Sequence, residues 1–214
     1  MHEYSEMTSN DSCMSTLPSL PNVVDKHFQS VIRGPTKESN WLIPEKVSIG
    51  EVPGGYDRNP KIDINKILNA GVNVFVSLLE YKPSYVDLLR QKQYGNVRRL
   101  AFSINDFKIA DDKKTAEFVE ELARVVRTPG NVIYLHCFSG RNRTDTIAIP
   151  LLLALYSDKN MSLSEATHIA NAYKSAGRTG RTKGGHMPEI DMQHHQMKYN
   201  VVAYKRGGHK AKHK

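Results

Sequence analysis

The stretch Tyr134–Asp145, "YLHCFSGRNRTD", decides the fold. It closes an apolar run with a cysteine, Cys137, and puts Arg141 and Arg143 where a helix can begin. A strand that breaks into a short loop and then a helix aims successive backbone N–H groups at one point, and the helix dipole adds positive potential there. Such a loop is an anion cradle. A thiolate held in it is stabilised, so its pKa falls from about 8.5 into a range of about 3.5 to 7.5, where a nucleophile is available at neutral pH. Arg143 follows six residues after Cys137, close enough for the loop to bring a planar guanidinium over the same cavity and grip two phosphoryl oxygens. This spacing points to phosphoryl transfer; the bland alternative is a structural cysteine ahead of a basic helix start.

His136, Cys137, Gly140, Arg143 and Thr144 resemble the signature of the cysteine-dependent protein tyrosine and dual-specificity phosphatase superfamily: His-Cys, five residues, Arg, then Ser or Thr. The resemblance covers roughly residues 41–204. It implies that Cys137 attacks phosphorus and forms a phosphocysteine, that Arg143 holds the equatorial oxygens, and that the Thr144 hydroxyl supports the thiolate as it leaves. Phe138, Ser139, Gly140, Arg141 and Asn142 would bind the substrate phosphate, and His136 would order the loop. Neither a metal nor another cofactor is implied.

Two positions depart from the family pattern. Asn142 stands where Gly is common before the Arg; if that position needs a positive φ, Asn is among the residues that tolerate it best. The RNA 5′-triphosphatase branch of the superfamily also carries Asn-Arg-Thr there. Asp145 replaces a usual Gly; it suits the first turn of a helix but sets a negative charge near the cradle, which is expected to weaken phosphate binding.

In this superfamily an Asp on a loop about thirty residues before the Cys protonates the leaving oxygen. Asp106 in "SINDFKIADD" stands 31 residues upstream, after an expected strand. Asp111 and Asp112 are rivals, but they directly precede the helix that starts near Lys113, where acids serve as caps. Further on, "MPEIDMQHHQM" resembles a Pro-Glu-Thr…Gln-x-x-Gln element of some plant, algal and protist members, with Ile190 in place of Thr. Gln193 and Gln196 keep its spacing and either position the hydrolytic water or are exposed polar residues. His194 and His195 have no other ligand at telling spacing and read as surface histidines.

The fold follows from the segments around this loop. "INKILNAGVNVFVSLL" predicts a helix closed by Gly71 and then a continuous apolar strand over residues 72–79, the pattern of a doubly covered parallel strand. "VRRLAFSI" predicts another strand, "KTAEFVEELARVVRTPG" a helix with Phe118, Leu122 and Val125 on one face, and "NVIYLHC" the strand that leads to Cys137. Helices are expected over residues 142–157, 162–176 and 188–204, and short extended segments in "WLIPEKVSIGEV". The expected class is α/β: a small central parallel or mixed sheet with helices on both faces and its ligand at the carboxyl ends of the strands.

Residues 1–40, rich in Ser, Thr, Asn and Pro, read as a flexible arm that docks locally through Val23, Val24 and Phe28. Residues 41–204 make the catalytic domain and 205–214 a basic tail. Five Lys or Arg of that tail account for most of the net charge of +8; it is either a solvated tail or a contact for an anionic partner. The two cysteines, Cys13 and Cys137, support no disulfide framework and favour a reducing compartment. The start has no secretory pattern, and the longest apolar run, residues 147–156, is far shorter than the ~20 residues of a membrane span. A cytoplasmic protein is expected, with the nucleus as the alternative; oligomeric state is open.

The leading expectation is a phosphatase for phosphotyrosine in proteins, with phosphoserine and phosphothreonine as further substrates. Tyr56 is the candidate for a pocket wall. The alternatives are a phosphatase for polyanions such as inositol phosphates, phosphoinositides or RNA 5′-triphosphate, suggested by Arg141 and Asn142, and an idle phosphate-binding module, suggested by Asp145. Arg178, Arg181 and Lys183 in "AGRTGRTKGG" either bind extra phosphates or form a solvated connector.

Overall fold

In a computed structural model, the protein is described over residues 17–176 except Tyr56, Asp57, Lys92, Gln93, Asn96, Asp106, Phe107 and Ile109. A five-stranded sheet has the order β1-β2-β5-β3-β4, with β1 Ser39–Ile43, β2 Val47–Gly50, β3 Val74–Ser77, β4 Arg98–Ala101 and β5 Ile133–His136. Only β1 runs antiparallel; β2, β5, β3 and β4 are parallel. The expected mixed sheet is therefore present. The predicted apolar strand over residues 72–79 pairs only over Val74–Ser77, but Val72, Leu78 and Leu79 are buried with it.

β5 is central, and all four of its residues are buried because both neighbours and both faces are covered. Its side chains alternate. Ile133 and Leu135 face one core with α4 (Asp112–Arg127), α5 (Asn142–Leu155) and α6 (Leu163–Ser175). Tyr134 and, by the same alternation, His136 point to the other face, where α2 (Pro60–Asn69) and α3 (Tyr85–Leu89) supply Ile64, Ile67, Tyr85 and Val86.

Local signals explain the helix ends. The Asn59 side chain accepts from the Lys61 N–H at the start of α2, and Pro60 opens that helix without wasting a donor. Asp111 accepts from the Lys114 N–H at 2.8 Å, so the expected cap role is filled. At the other end of α4, Arg127 donates to the Ala154 carbonyl at 2.9 Å and so serves one of the orphan acceptors at the end of α5. Residues 147–156 are buried throughout, as a core segment should be. No helix among the described residues is long and apolar enough to cross a membrane.

The folded body begins earlier than expected. From Leu17 onward the presumed arm packs against the α4–α6 face: Phe28, in the short helix α1 (Phe28–Val31), is buried, its ring tilted against that of Tyr173 with centroids 5.0 Å apart. Tyr156 and Tyr173 donate to the carbonyls of Pro18 and Pro21. Those carbonyls give two otherwise buried hydroxyls a partner, and burial of Phe28 contributes about 2 kcal/mol. Val23 packs partly, whereas Val24 stays on the surface.

Candidate active site

The three parallel strands β2, β5 and β3 end level, because Gly50 and Ser77 both pair with His136. Their continuations meet at one edge: Glu51–Val52, Cys137–Phe138 and Leu78–Glu80. The loop after β5 is clamped there by two backbone bonds and one side-chain bond. Val52 N–H donates to the Phe138 carbonyl at 3.1 Å, Leu78 N–H to that of His136 at 2.9 Å, and the Tyr134 hydroxyl to that of Glu51 at 2.8 Å.

Gly140 lets the loop close. Its φ of +64° lies in the left-handed region, and a Cβ on it would meet the Gly50 carbonyl group at 2.2 Å. Any side chain would push the loop off β2. Asn142, in contrast, is the first residue of α5 and has no positive φ. Position 142 therefore needs no left-handed residue; the turn is made two residues earlier, at Gly140, so the helix can begin at Asn142.

Cys137 itself is 2% exposed. It lies at the start of the loop after β5, against the α5 core. Arg143 and Thr144, both in the first turn of α5, are buried too. The Thr144 hydroxyl has no hydrogen-bond partner among the described residues, so its capacity is open to a group entering the loop. Asp145 is buried in the same turn, at the end of the helix where the dipole favours a carboxylate.

His136 is fully buried between two partners. Its Nδ1 lies 3.1 Å from the Cys137 carbonyl and its Nε2 2.6 Å from the Tyr85 hydroxyl. A carbonyl only accepts, so Nδ1 carries the proton and Nε2 accepts from Tyr85. Burial, assisted by the nearby Arg143 charge, lowers the imidazole pKa to about 4. Burial likewise raises that of Tyr85 well above the usual phenol range. Both groups are neutral at pH 7, and together they fix the carbonyl of the residue that bears the thiol.

Arg143 has a partner that sequence reasoning missed. Its Nη1 donates to Glu80 Oε2 at 2.8 Å and to the Ile104 carbonyl at 3.4 Å. Glu80 follows the carboxyl end of β3, the edge where ligands of such sheets bind, and that position was the signal that could have marked it. Glu51 and Asp63 share Arg58, and Asp63 also accepts from the Gly54 N–H at 3.0 Å, which pins the loop after β2 beside the site.

Asp106, Tyr56, Arg178, Arg181, Lys183, Gln193, His194, His195, Gln196, the expected helix 188–204 and the basic tail lie outside the described residues. Among the described ones, no group of three His, Cys, Asp or Glu could hold a metal ion.

A family model described as the Swiss Army Knife protein DSP-PTPase phosphatase domain matches residues 36–184. The chain belongs to this family of dual-specificity-type phosphatase domains. Solved structures agree on the fold. The active form of Tk-PTP is similar with a TM-score of 0.56 at 16% identity, over 77% of this chain and 97% of that one. A Cys-to-Ser form of P. aeruginosa TpbA in complex with pTyr gives 0.55 at 13% identity, over 81% and 93%. Human DUSP28 gives 0.52 at 16%, over 77% and 93%. No curated protein sequence matches the chain.

Proposed function

We propose that this DSP-type phosphatase hydrolyses phosphotyrosine in proteins, and phosphoserine or phosphothreonine with it, through a phosphocysteine. The observation that carries the reading is the joint burial of Cys137 and Arg143 on one short loop, at the carboxyl edge of the central strand and the first turn of α5. A solved complex of TpbA, a protein of the same fold, holds pTyr.

In the first step the Cys137 thiolate attacks phosphorus: the S–P bond forms, the P–O bond to the substrate breaks, and Asp106 gives its proton to the departing oxygen. Arg143 and the amides of residues 138–142 hold the other three oxygens as charge gathers on them. In the second step water attacks phosphorus, its proton returns to the Asp106 carboxylate, and Cys137 leaves as a thiolate supported by the Thr144 hydroxyl. Gln193 or Gln196 orients that water. Inorganic phosphate is released.

The test is turnover of the full chain and of Cys137→Ser against phosphotyrosyl, phosphoseryl and phosphothreonyl peptides, inositol phosphates and 5′-triphosphorylated RNA. Peptide turnover that vanishes in the variant, while vanadate binding persists, supports the proposal. Faster turnover of RNA ends or inositol phosphates would replace its substrate; turnover by the variant within a factor of about ten would overturn its mechanism; no turnover at all would leave a phosphate-binding module.

A further inference from the structure

A groove of about 320 Å³ opens beside the candidate active site, on the α2–α3 face at the carboxyl ends of β3 and β4. Two of its lining residues reach into that site. Glu80 holds Arg143, and Tyr85 holds His136. The groove and the cradle are therefore one side chain apart.

Its floor is apolar, from Leu79, Pro83, Tyr85 and Val86, while Lys82, Arg90 and Arg99 carry positive charge around it. The acids nearby are engaged: Glu80 with Arg143, and Asp87 with both Lys82 and Arg90. Arg99 makes no ion pair among the described residues. It lies opposite Phe75 on β4, which is the sheet's edge strand.

We propose that this groove is a substrate subsite for an acidic side chain, carboxylate or phosphorylated, of a peptide whose phosphoresidue occupies the Cys137 loop. The inference rests on the protein-phosphatase reading above. A mixed floor and rim suit a side chain with an apolar stem and an anionic head. A nucleic-acid backbone, with its closely spaced phosphates, calls instead for a continuous basic track. At about 3.3 to 3.6 Å per extended residue, the acidic residue stands within about three positions of the phosphoresidue. Arg99 then supplies the unspent charge, and the pairing acts on selectivity more than on chemistry.

The experiment compares kcat/KM for phosphotyrosyl peptides with Glu or Ala at each of the three positions on either side. At low ionic strength the acidic peptide is expected to win by about five- to tenfold at one or two positions, and the advantage should shrink with salt. In Arg99→Ala the ratio should fall toward one, and in Arg99→Glu a Lys peptide should overtake the Glu peptide. Arg99 is exposed, so both variants should melt like wild type; the double variant Lys82→Ala, Arg90→Ala gives an independent reading of the same ratio. Peptide turnover with a ratio of one, or one untouched by Arg99→Glu, overturns the subsite alone. Absence of peptide turnover alongside Cys137-dependent cleavage of RNA ends or inositol phosphates overturns the protein-phosphatase reading, and the subsite with it.

Discussion

Arg143 donates to Glu80 across 2.8 Å, from the first turn of α5 to the loop after β3. The guanidinium is almost wholly buried, whereas the carboxylate is 37% exposed. An arginine held this way is aimed before any substrate arrives, and one nitrogen is committed to the task.

Glu80→Ala should therefore disorganise Arg143. The carboxylate end of the pair is 37% exposed and screened by water, so the stability loss is expected to be about 1 kcal/mol by denaturant titration. The loss in kcat/KM on an aryl phosphate should be larger, about tenfold or more, with Glu80→Gln between the two. Unchanged kinetics in Glu80→Ala would show that Arg143 needs no such support.

Gly140→Ala tests loop closure. The added methyl meets the Gly50 carbonyl group, and φ is positive, so the loop must move off β2 at a cost of at least about 2 kcal/mol. Activity should fall with it. Wild-type turnover in this variant would mean that the contact between the loop and β2 is dispensable.

His136 makes stability depend on pH. Its folded pKa of about 4 lies below the unfolded value of about 6.5, so the unfolded chain binds more protons between those values. The contribution is complete above pH 6.5 and is lost as pH falls toward 4, by up to about 3 kcal/mol. Unfolding curves from pH 7 to pH 4.5 should show this slope, and His136→Asn should lack it. Tyr85→Phe leaves Nε2 without its donor, and a loss of about 1 to 2 kcal/mol at pH 7 is expected.

Asp106→Asn separates leaving groups. Phosphopeptides, which release a basic oxygen, should slow by a factor of about 10² to 10⁴, an activated aryl phosphate much less, and the basic limb of the pH–rate profile should disappear. Equal loss on every substrate would assign Asp106 a structural role and pass the acid to Asp111 or Asp112; Asp111 is already engaged as the cap of α4.

Sequence alone determined what depends on neighbours in the chain. The strand before Cys137, the helix after Asn142, the glycine-marked loop between them and the cap at Asp111 follow from apolar period, breakers and short-range hydrogen bonds. Cys137 and Arg143 were legible because one loop carries both. Tertiary structure decided the rest. Glu80 is 63 residues from Arg143, and Tyr85 51 residues from His136; no local pattern records such pairs, which exist because β3 and β5 are adjacent and end level. The same adjacency buried Cys137, made Gly140 rather than Asn142 the residue with positive φ, and drew the segment from Leu17 to Phe28 onto Tyr156 and Tyr173. Periodicity reports which face of an element is covered; what covers it is settled only when strands that are distant in sequence lie side by side.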